Sequence, residues 1–513
     1  MIVVYHLNNK ITRVVSERNE ALPFNRNNTI ALGLLELAFQ FPLSKIVWCN
    51  QNYTQYLNLE FIADFFHHNK LMMSYSPNEV DFLDRKIGYI DESPFIKINK
   101  DVSYPTWQMS SLVGVVHATV LLEINKKIKL DSNFNYYLNS IAKVCMPLGL
   151  LCYSEPKLLL ENEIHLTSKS SNLVLFRFVK QHYRTRWIFL LFLNLIIYEF
   201  KFPLLAFLYS LTFKNRNNNS INLDPIKVTS SLKVSNTGTI DVIIPTIGRK
   251  EYLYDVLKDL SQQTHLPKNV IIVEQNPLKG SVSELEYLTS EDWPFVIKHT
   301  FTHQAGACNA RNVALNQVES EWVFLNDDDN RFDINLIENV FNSIEQYGIL
   351  VLSASYLQPN EKLVNKVISQ SGNFGSGNSF LKSELLEEVS FSKSLEFGYG
   401  EDTDFGLQLR NKGADVLYFP EISILHLKAP MGGFRIKPTF AWDGESIQPK
   451  PSPTIMFLKL NNYNLEQING FKTILFFKYY KIQNVKNPLK YFFNFKEQWK
   501  QSLYWANRII DKS

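Results

Sequence analysis

Cysteine is nearly missing from this chain: there are four in 513 residues, Cys49, Cys145, Cys152 and Cys308. No two form a CxxC pair, and no cysteine–histidine cluster has zinc-ligand spacing, which argues against a disulfide scaffold and a structural zinc site. The four read as buried free thiols in a reducing compartment, packed as small hydrophobes. A surplus of charge of one sign is missing too. Fifty-three Lys and Arg against 50 Asp and Glu leave a net charge of +3, too small for a global nucleic-acid-binding field, so no nucleic-acid partner is expected. The opening MIVVYHLNNK has too short an apolar run for a secretory signal. The expected location is therefore cytoplasmic, peripheral on the inner face of the cell membrane where basic aromatic segments meet lipid.

What is present suits a large globular chain. Hydrophobic residues make up 45% and aromatics 13%, enough for two or three cores at this length. Four blocks stand out. Residues 1–167 read as an N-terminal α/β domain, with strands at Ile2–Tyr5 and Lys45–Cys49 around a helix at Thr29–Phe39. Residues 168–236 hold an apolar helical segment and then an Asn- and Ser-rich linker. Residues 237–438 restart the α/β pattern, and residues 439–513 form a basic aromatic helical tail. The apolar stretch Leu173–Phe213 is long enough to span a bilayer, but Glu199, Lys201 and Pro203 interrupt it near the middle, where charge is costly. Lys180, His182, Arg184 and Arg186 precede it and Lys214 and Arg216 follow it, which suits a helical hairpin lying among lipid headgroups. A buried helical pair between two domains fits the same pattern.

The third block carries the chemistry. Thr239-Ile-Asp-Val-Ile-Ile-Pro-Thr-Ile-Gly-Arg249 reads as a buried strand, Asp241–Ile244, that Pro245 ends before a helix from Glu251 to Gln262. Asn269–Glu274 follows as a second strand. Polar residues at the carboxyl ends of such strands are where open α/β sheets bind nucleotides. Gln304-Ala-Gly-Ala-Cys-Asn-Ala-Arg-Asn312 opens a helix with small residues, so its amides can approach phosphates, and Arg311 adds a cation. Trp322-Val-Phe-Leu-Asn-Asp-Asp-Asp-Asn330 sets three carboxylates directly after an apolar strand, an arrangement that calls for a cation. Oxygen ligands of this kind suit Mg²⁺ or Mn²⁺, which also bind phosphates. Gly398-Tyr-Gly-Glu-Asp-Thr-Asp-Phe-Gly-Leu-Gln-Leu-Arg410 delivers two further acids to a helix start, where the dipole favours negative charge. Capping by Asp402 or Thr403 is the bland alternative. Between the two acidic sites, Gly372–Asn378 is flexible enough to shape a pocket. His426, Gly432, Gly433 and Arg435 come after them.

In this order the motifs of residues 237–438 resemble the catalytic domain of family 2 glycosyltransferases of bacterial surface-polysaccharide type, with the α/β GT-A fold. The resemblance implies an inverting, metal-dependent, hexosyltransferase-like enzyme. It would move a sugar from a nucleotide-diphospho-sugar to a hydroxyl of a glycan or lipid-linked glycan. It also implies a DxD pair, Asp327 and Asp329, that binds Mn²⁺ or Mg²⁺; the run Asp327, Asp328, Asp329 permits a one-residue shift. His426 would be a further metal ligand. Pro245, Thr246, Arg249, Glu274, Arg311 and Asp327 would line the nucleotide-sugar site, with Asp402 as general base and Glu401 beside it. Family members often carry Asp where this chain has Glu274, which leaves the nucleotide open.

The first α/β block reads as a degenerate GT-A-like copy. Lys45–Gln51 resembles Lys268–Gln275, Ser140–Leu159 resembles Leu407–Ile424, and Trp107–Leu121 matches the region Gly372–Leu386. No acidic triplet ends a strand between Glu60 and Pro105, so this half is not expected to transfer sugar; it would bind an acceptor, a partner or the other half. The tail interleaves Lys472, Lys478 and Lys481 with Phe476, Phe477, Tyr479 and Tyr480, which suits an anionic bilayer surface or packing on the catalytic domain. Three alternatives stay open at this point: a retaining GT-A transferase, a nucleotidyltransferase, and a non-catalytic membrane-associated sugar-nucleotide-binding scaffold. The absence of GxGxxG between Ile244 and Glu274 argues against a dinucleotide enzyme.

Overall fold

Two apolar runs, Ile2-Val-Val-Tyr and Asp241-Val-Ile-Ile, seed the two sheets that organise the chain. A computed structural model describes residues 1–77, 81–161, 170–216, 220–429 and 439–510. The chain divides into one unit of Met1–Leu232 with Tyr463–Phe477 and another of Lys233–Asn462 with Lys478–Ser513. The division falls inside the helix Leu465–Ile482, so residues 439–513 contribute to both units.

The first unit is built on a seven-stranded mixed sheet: β1 (Ile2–Leu7), β2 (Lys10–Ser16), β3 (Lys45–Asn50), β4 (Leu71–Tyr75), β5 (Tyr104–Pro105), β6 (Val113–His117) and β7 (Leu151–Ser154), in the order β2-β1-β3-β6-β4-β7-β5. Pairs β1/β3 and β4/β7 are parallel and the rest antiparallel. The second sheet comprises β8 (Ile240–Thr246), β9 (Asn269–Gln275), β10 (Val296–Thr302), β11 (Trp322–Asn326), β12 (Asn330–Phe332), β13 (Val351–Leu357), β14 (Ser369–Gln370), β15 (Asn378–Lys382) and β16 (Leu417–His426). Its order is β10-β9-β8-β11-β15-β13-β16-β12, with β14 on β16. Strands β10, β9, β8 and β11 run parallel; β15 runs against both neighbours, and β13/β16 are parallel again. The α/β GT-A fold expected for this half is what the structure has, built on a mixed sheet.

Strand for strand, β1, β3, β6, β4, β7 and β5 repeat the order and directions of β8, β11, β15, β13, β16 and β14. The likeness of Lys45–Gln51 to Lys268–Gln275 needs correcting. β3 lies between a parallel β1 and an antiparallel β6, the place that β11 holds between β8 and β15, whereas β9 lies between two parallel neighbours. No described strand of the first unit stands where β9 and β10 stand; the antiparallel β2 takes that edge.

Two other expectations change. Pro245 does not end its strand, because the ladder to β11 stops at Ile243 and the missing N–H then costs nothing on that side. The linker is also not a free tether: Ile221, Leu223, Ile226, Val228 and Val234 are all buried, so its few apolar residues strap it down. The apolar stretch forms helices Arg186–Glu199 and Leu204–Leu211. Ile188, Leu191, Leu195 and Ala206 join the core of the first unit, while Phe200 (92%), Phe202 and Leu205 are exposed. Among the described residues no helix is long and apolar enough to cross a membrane. In the tail, Tyr491, Phe495, Trp499, Ser502 and Ala506 line one buried stripe of the helix Pro488–Ile510 at helical spacing. All four cysteines are buried and none is in a disulfide among the described residues.

One carboxylate holds the amino end of the second sheet. Asp241 is fully buried and accepts from Asn269 Nδ2 (2.8 Å), Ser320 Oγ (2.5 Å), and the N–H groups of Glu319 (2.7 Å) and Ser320 (3.1 Å). It ties β8, β9 and the approach to β11 together. Asp241→Ala strands four donors in the interior and should lower stability by about 3–4 kcal/mol, read as a shift in urea unfolding midpoint; an unchanged midpoint would remove Asp241 from this role.

Candidate active site at the carboxyl ends of the second sheet

β8 and β11 part company after the pair Ile243/Leu325, because β8 continues along β9 while β11 stays with β15. Such a divergence opens a crevice at the strands' carboxyl ends. A cavity of about 380 Å³ lies there, lined among others by Pro245, Thr246, Arg249, Gln275, Gly306, Arg311, Asp327, Asp328, Asp329 and His426. The apolar run Trp322–Leu325, wholly buried, delivers the three acids into it.

The three carboxylates have three different environments. Asp327 accepts from Arg311 (3.0 Å) and from the Tyr356 hydroxyl (2.9 Å). Asp328 is held by Thr246 Oγ1 (2.7 Å) and Arg249 (2.6 Å). Burial pushes its carboxyl up to about 6 even so. Asp329 accepts from the Ala429 N–H (2.8 Å) and lies 3.1 Å from Arg249. Burial pushes the Asp329 carboxyl up, but His426, the Ala429 N–H and Arg249 outweigh it and leave the group below its usual range. Its Oδ1 is buried with no hydrogen-bond partner among the described residues, the His426 ring lying 3.4 Å away.

Asp327, Asp329 and His426 each offer a ligand atom, and these atoms lie within 4.8 Å of one another. Two carboxylates, one with an orphaned buried oxygen, and an imidazole are a donor set that fits a divalent cation. Asp328 stands outside this group because both of its oxygens serve Thr246 and Arg249. Tyr356 stacks on His426, with ring centroids 4.6 Å apart, and its hydroxyl shares its one proton between Asn330 Oδ1 (2.8 Å) and Asp327. Gly377 packs against the same carboxylate: a Cβ there would come within 2.2 Å of Asp327 Oδ2. The Gly-Ser-Gly segment therefore serves close approach rather than flexibility.

The second acidic site joins the first through Arg311. Its buried guanidinium feels Asp327, Asp402 and Glu401 together. Asp402 is the second residue of the helix Glu401–Asn411, whose N-cap is Gly400 at φ 112° with no capping side chain. Asp402 is thus not engaged in capping. Burial raises its carboxyl against the pull of Arg311 and Ser376, and its Oδ1 has no hydrogen-bond partner among the described residues. Glu401 is raised by burial and by Asp402.

Two expectations are not met as stated. Glu274 is not among the residues lining the cavity; its carboxylate accepts from the Glu284 N–H (3.1 Å) and contacts His299 (3.0 Å), and the next residue, Gln275, lines the cavity instead. Nor are the Cys308 and Asn309 amides, in the first turn of the helix Ala307–Leu315, open to a phosphate. Glu396 already accepts from the N–H groups of Cys308 (3.1 Å) and Asn309 (2.8 Å), a carboxylate at the positive end of a helix dipole. Gly432, Gly433 and Arg435 lie outside the described residues. Sequence reasoning missed Tyr356, Gln275 and Glu396, and named Ser376 and Gly377 only as part of the pocket-shaping segment Gly372–Asn378. Gln275 follows a recognised strand end, whereas nothing local marks Tyr356 or Glu396.

Residues 241–394 match the sequence model described as Glycosyl transferase family 2. An uncharacterized glycosyltransferase of Haemophilus influenzae is 32% identical over 107 residues, which cover 21% of this chain and 35% of that protein. Glycosyltransferase GlyG of Streptococcus pneumoniae is 22% identical over 122 residues, covering 24% and 40%. The chain thus spans well under half the length of the curated relatives it matches. Among solved structures, S. aureus TarS 1-349 in complex with UDP-GlcNAc is similar at 17% identity and a TM-score of 0.34, over 46% of this chain and 70% of that one. The second unit of this chain carries a glycosyl transferase family 2 domain.

Proposed function

We propose that the second unit is an inverting glycosyltransferase that moves a hexosyl group from a nucleotide-diphospho-sugar to a hydroxyl of a glycan or lipid-linked glycan, in surface polysaccharide synthesis. The observation that carries this reading is Arg311, one buried cation set between the acids of the metal-type group and those of the helix Glu401–Asn411. A donor diphosphate and an acceptor hydroxyl would need just these two neighbourhoods side by side.

A divalent cation held by Asp327, Asp329 and His426 would supply Lewis acidity toward the diphosphate. The imidazole favours Mn²⁺ over Mg²⁺, which prefers oxygen donors. Arg311 adds fixed positive charge where the leaving group gains negative charge. Arg249 and Thr246 hold Asp328 and so fix the strand end that presents Asp327 and Asp329. Asp402 takes the proton of the acceptor hydroxyl as its oxygen bonds to the anomeric carbon. The bond from that carbon to the diphosphate breaks on the opposite face, and the anomeric centre inverts.

The exposed Phe200, Phe202 and Leu205, flanked by the exposed basic residues Arg184, Arg186, Lys201 and Lys214, support peripheral contact with an anionic lipid surface.

Asp402→Asn should cut kcat by about 10²–10⁴-fold without lowering the melting temperature, since it removes a buried charge. In the unaltered protein kcat should fall on acidification with an apparent pKa above the ordinary aspartate range, because the base must be ionised and burial raises it. Sugar transfer that survives Asp402→Asn rejects the base. Chelation should abolish turnover and Mn²⁺ restore it, while Asp329→Asn weakens Mn²⁺ binding at least tenfold by calorimetry; turnover indifferent to chelator would remove the metal from the reading. Phe200→Asp combined with Leu205→Asp should reduce co-sedimentation with phosphatidylglycerol vesicles while leaving transfer to a soluble acceptor unchanged, and equal pelleting would dismiss the lipid surface.

A further inference from the structure

The correspondence between the two sheets can be followed to single residues. Asn50 ends β3 and its N–H bonds to the Leu112 carbonyl, in register with the pair Cys49/Val113. Asn326 ends β11 opposite Asn378, in register with Leu325/Ser379. By that register Gln51 and Asn52 of the first unit stand where Asp327 and Asp328 stand in the second. Ser110 and Ser111 likewise stand where Ser376 and Gly377 do. Asn135 is the second residue of the helix Phe134–Cys145, as Asp402 is of its own helix. Both side chains reach the matching loop: Asn135 Oδ1 accepts from the Ser111 N–H (2.8 Å), and Asp402 bonds to Ser376. At the positions of Asp327, Asp328 and Asp402, then, the first unit carries amides.

The space at this place is open without those acids. A cavity of about 460 Å³ opens at this place, lined by Asn50, Gln108, Ser110, Ser111, Asn133 and Asn135 among others. Its amides are held in fixed orientation by their carbonyl oxygens. Asn50 accepts from the Asn52 N–H (3.0 Å), Asn133 from Tyr136 (3.0 Å), Asn9 from Phe134 (3.3 Å) and Asn135 from Ser111. The NH₂ groups of these four donate to no protein atom among the described residues, so they remain for a ligand. Among the described residues no Lys or Arg lines the cavity, and the one acid, Asp81, is paired with Lys100 at 3.1 Å. A diphosphate would find no Lys or Arg among these residues, and the one imidazole, His6, has its Nε2 engaged with the Ser111 carbonyl at 2.7 Å. Tyr75 and Phe82 add aromatic rings to the wall. Fixed amide donors, hydroxyls and a ring or two in a pocket of this size match an uncharged polyol ring better than any ionised ligand.

We propose that the first unit holds a second, non-catalytic carbohydrate site, taking an uncharged sugar residue of a glycan chain in the cavity bounded by Asn50, Ser111 and Asn135. This goes beyond the transfer reaction and does not require it. The test is saturation-transfer NMR on the full chain, without nucleotide or metal, using the methyl glycosides of glucose, galactose, mannose and N-acetylglucosamine at millimolar concentration. At least one should give a signal, and that signal should persist in Asp402→Asn. It should drop at least fivefold in Ser111→Phe, which fills the cavity, and in Asn135→Asp, which keeps the acceptor for the Ser111 N–H but loses the donor. Hydrogen exchange on the unaltered chain should show sugar-dependent protection of Leu112–Val115 and the start of the helix Phe134–Cys145, a readout that survives if a variant folds poorly. No signal from any glycoside, protection confined to the second unit, or a signal lost in Asp402→Asn would overturn the proposal. Failure of sugar transfer would leave each of these readouts untouched.

Discussion

Three consecutive carboxylates at the end of a buried strand are the constraint around which the second unit is arranged. Adjacent negative charges in a poorly solvated place repel one another unless opposite charge is built in beside them. The chain supplies it from two directions: Arg249, from the turn after β8, meets Asp328 and Asp329, and Arg311, from the helix Ala307–Leu315, meets Asp327. These arginines neutralise the run incompletely. What is left over is a ligand set at Asp327, Asp329 and His426 with one orphaned oxygen.

The reversal of β15 makes the second acidic site possible. Running against both β11 and β13, it brings the Gly375–Gly377 segment back to the end where Asp327 emerges, and β13 brings Tyr356. The helix Glu401–Asn411 then starts beside that segment, placing Asp402 within reach of Ser376 and Arg311. The first unit keeps the same reversal through β6 and the same helix through Asn135, with amides at the matching positions. One chain layout thus appears twice, once around carboxylates and once around amides.

Much of this was legible in the sequence wherever a residue's role follows from its own strand or helix. The run Trp322–Asp329 announces a buried strand ending in acids, and Gly400–Asp402 announces acids at a helix start; both lie where the pattern puts them. Partners supplied by distant loops were not legible. Glu396 comes from a loop 87 residues from the amide of Asn309 that it receives, and Tyr356 reaches Asp327 from a different strand, so no local pattern marks either. Side choice at a strand end was also hidden: Glu274 and Gln275 are neighbours, and the fold turns the second toward the cavity. The likeness of β3 to β9 failed for a related reason, since short apolar strands look alike until their neighbours in the sheet are known.

The burial of all four thiols has a consequence for chemistry in solution. Burial pushes Cys49 and Cys145 up to about 12 and raises Cys152 and Cys308 as well, so almost no thiolate exists near neutrality in the closed fold. Alkylating reagents can therefore act only during transient opening. Three of these thiols belong to the first sheet's unit and Cys308 to the second, so their rates of modification amount to separate clocks for the breathing of each half.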